Sequence, residues 1–465
     1  MQLKIASGML TPLIVATALF MENMDATVIS TSLPAIAKDL AVDPISLKLA
    51  LTSYLVSLAV FIPISGWMAD RYGARRIFRS AIMVFMLGSL LCAATGSLHG
   101  FVLARFLQGI GGAMMVPVGR LVILRTTDKA DLVRALGYLT VPALLGPVIG
   151  PPLGGLISTY FHWRWIFLIN IPIGLLGMAL AGRYIANLTE ESVPRLDVAG
   201  FVLTGAGLSM LMLGLASEGR HMLSAAASIW LTGLGAALLL AYLWHYRRQQ
   251  HPLLDLSLLR LPTFQAGVVG GFMFRVGIGT IPFLLPLMLQ LGFGFTPFES
   301  GLLTCSTAMG AIGMKTIVAR VLQRFGFRRV LVVNSLLAGC SVALYVLFRA
   351  DTPHWMMLAA FVLGGCLRSL QFTSLNAITF ADVDKERLSQ ATSLSSVAQQ
   401  LAAGFGVTMG AFALQTVSWW QGHLQLTAGD FGQAFLIMGS LTALSSLLFL
   451  KLERNAGQQV SGGHE

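Results

Sequence analysis

At 465 residues, 55% hydrophobic and only 11% charged, with a mean hydropathy of +0.76, the chain is too apolar for a soluble fold. The formal charge of +11 would point to nucleic acid in a soluble protein, but here the basic residues sit in short loops between apolar runs and read as membrane-topology signals. A span needs about 20 apolar residues, and lipid satisfies no backbone polar group, so helices or a closed barrel are the spanning structures available; these runs have helix length.

In chain order the first span begins near Ser7. It carries Glu22 and Asp25 and lacks a small-residue cleavage site, so it reads as a retained helix and not as a removed signal segment. Five more spans begin near Leu47, Ile77, Gly100, Ala135 and Trp163, and a pair follows from Leu196 and Ala225. The last six begin near Phe264, Pro297, Val330, Trp355, Ser389 and Phe431. The expectation is an all-α polytopic membrane protein with fourteen spans: two pseudo-symmetric six-helix bundles, residues 1–190 and 263–465, plus two extra transmembrane helices and a linker in 191–262. Most of the 31 lysines and arginines then fall on one side, which the positive-inside rule makes the cytoplasm, with both termini there.

The halves repeat. Asp70-Arg71-Tyr72-Gly73-Ala74-Arg75-Arg76 closes the second span, and Gln323-Arg324-Phe325-Gly326-Phe327-Arg328-Arg329 is expected to close the span that begins at Pro297. Phe101-Val102-Leu103 in the fourth span returns as Phe361-Val362-Leu363 in its counterpart. Such repeats mark secondary transporters, whose substrate site lies near mid-membrane between the halves. No lysine follows a glycine, so there is no phosphate-binding loop, and energy must come from an ion gradient. The four cysteines lie singly in apolar runs, and the histidines fall in loops or at span ends without metal-ligand spacing. No metal, cofactor, nucleic-acid partner or enzymatic constellation is expected.

Four motifs in order on the expected spans give a resemblance to a family. They are Met24-Asp25-Ala26-Thr27-Val28 in the first span, Gly66 to Arg76 after the second, Arg105-Phe106-Leu107-Gln108-Gly109 in the fourth, and Gly146-Pro147-Val148-Ile149-Gly150-Pro151-Pro152-Leu153-Gly154-Gly155 in the fifth. Together they resemble the 14-span drug:proton antiporters of the major facilitator superfamily, along essentially the whole chain. The resemblance implies a proton-coupled exporter in a bacterial-type inner membrane, a role for Arg105 in coupling, and a cytoplasmic gate at Asp70, Arg71, Gly73, Arg75 and Arg76. Gly146, Pro147, Gly150 and Gly154 permit close helix approach and a bend, which suits a rocking interface; pure packing is the alternative. Glu22 departs from the family pattern, which has an uncharged residue there.

Charged side chains within spans are costly and so are functional candidates. Glu22 and Asp25, three apart, share one helix face, where burial and mutual repulsion suit a proton-carrying site; the bland alternative pairs Asp25 with an arginine to pin the bundle. The second half supplies Arg275, Lys315 and Arg368 without an obvious intramembrane acid, so cations facing the cavity would make an anion site. Pairing across the interface, or a Lys315 that snorkels to the cytoplasmic end, is the structural alternative. Gly271, Gly277, Gly279, Pro282 and Pro286 predict a broken helix, with Phe274, Gln371 and Asn376 as further substrate contacts. The function read from these residues is proton-driven export of small organic molecules, anionic carboxylates first, by a monomer in lipid. A broad multidrug pump for cationic amphiphiles is the alternative.

Overall fold

The computed structural model describes residues 7–126, 132–185, 195–217, 224–249, 252–384, 387–422 and 426–453, with isolated positions at 187, 189, 193, 456 and 457. Among the described residues the regular structure is entirely helical. The first unit holds α1 (Ser7–Asp39), α2 (Lys48–Tyr72), α3 (Ala74–Ala94), α4 (Leu98–Thr126), α5 (Leu132–Tyr160), α6 (Trp165–Tyr184), α7 (Val198–Ser217) and α8 (Ala225–Tyr246). The second holds α9 (Pro262–Gly292), α10 (Pro297–Lys315), α11 (Val318–Ala343), α12 (His354–Thr379), α13 (Leu388–Gln421) and α14 (Ala428–Leu444).

Among the described residues, 12 helices are long and apolar enough to cross a membrane. The other two, α5 with 29 residues and α10 with 19, stand where the sequence predicts spans. At about 1.5 Å per residue each is long enough to cross most or all of the hydrocarbon core, about 30 Å thick. The two compact units are Met1–Leu253 and Leu254–Glu465, so the extra pair α7 and α8 belongs with the first, where α7 packs on α2 and on α8.

Each unit pairs its helices in the same pattern. In the first, α1 meets α5 and α6, α2 meets α4, and α3 meets α4 and α6. In the second, α9 meets α13 and α14, α10 meets α12, and α11 meets α12 and α14. The repeated loop motif has one backbone solution in both: Gly73 at φ 97°, ψ 130° and Gly326 at φ 71°, ψ 160°. Only glycine populates that region readily, which is why both heptapeptides centre on one.

The symmetry is imperfect there. The helix from Pro297 does not run on to the Gln323 motif; it ends at Lys315, and a separate helical stretch begins at Val318. Lys315, expected within a span, is therefore exposed in the last turn of α10.

The run Pro262–Gly292 is broken as its glycines and prolines predict. It holds π-helical turns at Ala266–Gly270 and Met288–Gly292 and a break at Gly279 and Thr280 between two short α-helices. Ahead of it, a 3-10 turn at Leu256–Arg260 is tied to the α12–α13 loop by Arg387 Nη2, which donates to Asp255 Oδ2 at 2.7 Å and also reaches Ser257 Oγ. Partial burial opposes ionisation of Asp255, but hydrogen bonds from Ser257 and from Arg387 outweigh it and hold the carboxyl below the usual range.

Candidate functional site

Asp25 faces into the first bundle, fully buried, and both of its oxygens are engaged. Arg105 Nη1 from α4 donates to Oδ2 at 2.7 Å; Gln108 Nε2 and Asn170 Nδ2 donate to Oδ1 at 2.9 and 2.7 Å. Arg105 is 1% exposed, donates also to Gln108 Oε1, and sits 4.3 Å from the centroid of the Tyr54 ring. Ser89 Oγ on α3 accepts from both amides, at 2.7 Å from Gln108 and 3.1 Å from Asn170. Arg105 and Gln108, three apart on α4, share a face, so one helix supplies both the cation and the amide that orients it.

Asn170 is brought there by a tie at the start of α6. Arg164 Nη1 donates to Asp39 Oδ2 at 2.6 Å, Arg164 Nη2 to the Thr95 carbonyl at 3.1 Å, and Trp163 Nε1 to Asp39 Oδ2 at 3.1 Å. These bonds fix α6 against the ends of α1 and α3, and with them the depth at which Asn170 meets Asp25.

Glu22, one turn from Asp25, is half-buried and accepts a single hydrogen bond, from the Tyr54 hydroxyl at 3.4 Å. It makes no ion pair among the described residues. The two carboxylates expected to act together thus have different settings: Asp25 is clamped, Glu22 is not.

The opposite side of α1 lies on the glycine stripe of α5. A Cβ built on Gly150 would fall 2.0 Å from Thr27 Oγ1, and one on Gly154 would fall 2.2 Å from the Val28 carbonyl oxygen. Thr27 Oγ1 donates to the Gly146 carbonyl at 3.2 Å and Thr31 Oγ1 to that of Pro151 at 3.2 Å, while the Pro147 side chain lies outside the described residues. The helix that carries the acids is therefore seated directly on the α5 motif.

At the α2–α3 loop, Asp70 and Arg75 are half-buried and Arg71 and Arg76 are exposed. Asn187 Oδ1 accepts from the Arg76 backbone N–H at 3.4 Å, and its side chain occupies the space that a Cβ on Gly73 would need.

The second bundle contains a related arrangement. Arg368-Ser369-Leu370-Gln371 on α12 repeats the Arg105-Phe106-Leu107-Gln108 pattern of α4. Gln371 Nε2 donates to Ser335 Oγ on α11 at 2.8 Å, as Gln108 does to Ser89 on α3. Gln371 Oε1 accepts from Asn334 Nδ2 at 2.8 Å, and the residue is fully buried, so this predicted substrate contact is part of a closed network.

Where the first bundle sets an aspartate against its arginine, no carboxylate pairs with Arg368 among the described residues. The Arg368 guanidinium is half-buried, and its Nη1 lies beside the buried Tyr345 hydroxyl, its polar neighbour there. Arg275 Nη2 reaches only Asn376 Oδ1, at 3.4 Å, and its guanidinium lies 5.3 Å from the Phe372 ring centroid. Asn376 is exposed, whereas Phe274 is fully buried edge-on to Phe372. Lys315 makes no ion pair among the described residues and does not join these arginines.

The family model described as Major Facilitator Superfamily matches residues 15–271 and 267–465. This chain belongs to the major facilitator superfamily. It is a multi-pass membrane transporter and not an enzyme. The transporter is 40% identical over 452 residues to MdtD of Klebsiella pneumoniae strain 342, named as a candidate multidrug resistance protein, covering 96% of this chain and 94% of that one. It is 39% identical over 455 residues to MdtD of Escherichia coli O6:H1, covering 96% and 95%. In fold it matches a D-xylose–proton symporter with a TM-score of 0.70 at 15% identity, covering 96% and 98%, and a POT family transporter with a TM-score of 0.70 at 17% identity, covering 96% and 95%.

Asp25 and Arg105 are legible in the sequence as charges inside spans, whereas Gln108, Ser89 and Asn170 are not marked there as their partners. Gln108 was signalled by the Arg-x-Leu-Gln repeat of the two halves. For Asn170, in the run Asn170-Ile171-Pro172, nothing local marks it as more than a polar residue near a helix start.

Proposed function

We propose that the transporter is a proton-coupled antiporter that exports small organic anions, carboxylates of the citrate or chelator type first among them. The observation that carries this reading is the unequal treatment of two related arginines. Arg105 is neutralised by Asp25 within the protein, whereas Arg368 meets a tyrosine hydroxyl and, among the described residues, no carboxylate. A half-buried guanidinium that no carboxylate neutralises favours an anionic partner supplied from outside, and Arg275 with its weak amide contact adds to the demand.

Protons act at the other bundle. A proton on Asp25 neutralises the carboxylate and so loosens the pair with Arg105 that joins α1 to α4; Glu22 takes a proton without any ion pair being broken. Coupling requires that proton and substrate favour different states, with α1 rocking on Gly146, Pro147, Gly150 and Gly154 of α5. The loop residues Asp70, Arg71, Gly73, Arg75 and Arg76 serve as the cytoplasmic gate. The energy source is the proton gradient of an inner membrane, both termini are cytoplasmic, and the working unit is a monomer.

A second reading, broad export of cationic drugs, draws on the multidrug designation of the MdtD relatives and on the unpaired Glu22. Proteoliposomes loaded with a pH dye separate the two when challenged with citrate and, separately, with ethidium. The anion reading expects proton flux with citrate, lost in Asp25→Asn and in Arg368→Gln. Flux with ethidium alone, unchanged in Arg368→Gln, would return Arg368 to a structural role, and citrate flux that survives Asp25→Asn would remove Asp25 as a proton carrier.

A further inference from the structure

We infer that Asn170 is a positioning residue that answers the protonation of Asp25 by reversing its carboxamide. The inference rests on Asp25 taking up a proton during transport, and it concerns what the surrounding groups must then do. Asn170 is fully buried; its Nδ2 serves Asp25 Oδ1 and Ser89 Oγ, and its Oδ1 has no hydrogen-bond partner. A buried carbonyl oxygen left unmatched beside an ionisable group calls for a reason.

The reason lies in what a proton does to Asp25. An ionised carboxylate accepts hydrogen bonds and gives none, so donors suit it, and here it has them from Arg105, Gln108 and Asn170. Once Oδ1 carries the proton it becomes a donor and needs an acceptor within reach. Arg105 has none to offer. Gln108 Oε1 already receives Arg105 Nη1 and lies 3.9 Å from Cys92 Sγ, and Ser89 Oγ already receives both amides. Glu22, the other acid of α1, accepts from Tyr54 of α2, and Arg120 of α4 acts on it electrostatically. That leaves Asn170 Oδ1 as the unused side-chain acceptor of the cluster among the described residues.

Half a turn about the terminal bond of Asn170 exchanges its nitrogen and oxygen at little steric cost, because a carboxamide is nearly symmetric in shape. In the reversed position Oδ1 faces Asp25 Oδ1 and Ser89 Oγ. Against an ionised Asp25 this sets acceptor against acceptor and is repelled. Against a protonated Asp25, the new O–H donates to Asn170 Oδ1 and the Ser89 hydroxyl, freed from accepting that amide, donates to the same oxygen. One proton thus exchanges one set of matched contacts at Asp25 for another, with Nδ2 taking the place that Oδ1 held, and Asn170 can serve both. Since Asn170 is held by α6 and Ser89 by α3, the reversal carries the protonation state of α1 to two further helices.

The test is infrared difference spectroscopy of the full-length protein in lipid, titrated over a range of about pH 4 to 9, with the Asp25 carboxylic acid C=O stretch assigned by its loss in Asp25→Asn. In Asn170→Leu, which removes both donor and acceptor, that stretch should move to higher wavenumber, because the protonated acid loses the acceptor that its O–H would use. Asn170→Thr, whose hydroxyl both gives and accepts, should recover part of that change. Wild-type protein labelled with [13C]asparagine needs no substitution: one carboxamide C=O band should shift with the midpoint of Asp25. An Asp25 stretch unmoved in Asn170→Leu, or no asparagine band that follows the protonation of Asp25, overturns the role of Asn170 alone. If the wild type shows no Asp25 carboxylic acid band anywhere in the range, the proton-carrier reading fails and takes this inference with it.

Discussion

Asp25 and Arg105 stand 80 positions apart in the chain and bond at 2.7 Å, both almost wholly removed from solvent. Breaking a buried pair from one side leaves an uncompensated charge, which costs about 3–5 kcal/mol, while removing both charges is close to neutral. Arg105→Gln should therefore lower the unfolding temperature of the purified protein clearly, and the double variant Asp25→Asn with Arg105→Gln should recover most of the loss without recovering proton-driven transport. A double variant as unstable as the single one would mean that the pair is not the stabilising contact. At Arg368 the same reasoning runs the other way, because among the described residues no carboxylate would be left uncompensated by its loss. Glu22 and Asp25 were legible in the sequence as acids inside a span, but their division of roles was not. It depends on which side chains of α2, α4 and α6 turn toward each, and that is a matter of helix rotation and depth.

Among the elements, α1 and α5 form the contact on which the proposed motion depends. The small residues of α5 recur every four positions, at 146, 150 and 154, so they line one face and let the backbones approach. The nearest atom to a Cβ on Gly150 belongs to the Thr27 side chain, whereas for Gly154 it is the backbone oxygen of Val28. Gly150→Ala should slow transport and lower stability by about 1–3 kcal/mol, with part of both restored by adding Thr27→Ala. Gly154→Ala should do similar damage that trimming Thr31 does not repair. Thermal unfolding and initial transport rates of the four variants check this, and equal rescue at both positions would show that the contact yields more freely than its geometry implies. The break in α9 was likewise readable from its glycines and prolines, although its form, two π-helical turns around a kink, was not.

For the whole molecule, the proposed fourteen spans and the distribution of basic residues would put both ends of the chain on one side. Fusing a reporter that fluoresces only in the cytoplasm to either terminus should give signal in both cases, and a periplasm-active phosphatase should be silent at both. Signal at one end alone would require an odd number of crossings and overturn the count. The sequence by itself determined the class of fold, the approximate start of nearly every helix, the twofold repeat and the presence of costly charges inside spans. Each of these is a local property, since hydropathy over about 20 residues decides whether a segment enters lipid wherever its neighbours lie. Only the tertiary structure decided which charges meet. It gave Arg105 an aspartate and Arg368 none, ended α10 at Lys315 and so left that lysine exposed, enclosed Gln371 in a network with Asn334 and Ser335, and brought Asn170 to Asp25 across 145 positions of chain. Those outcomes follow from the rotation and depth of packed helices, which bring together groups that no window along the chain contains.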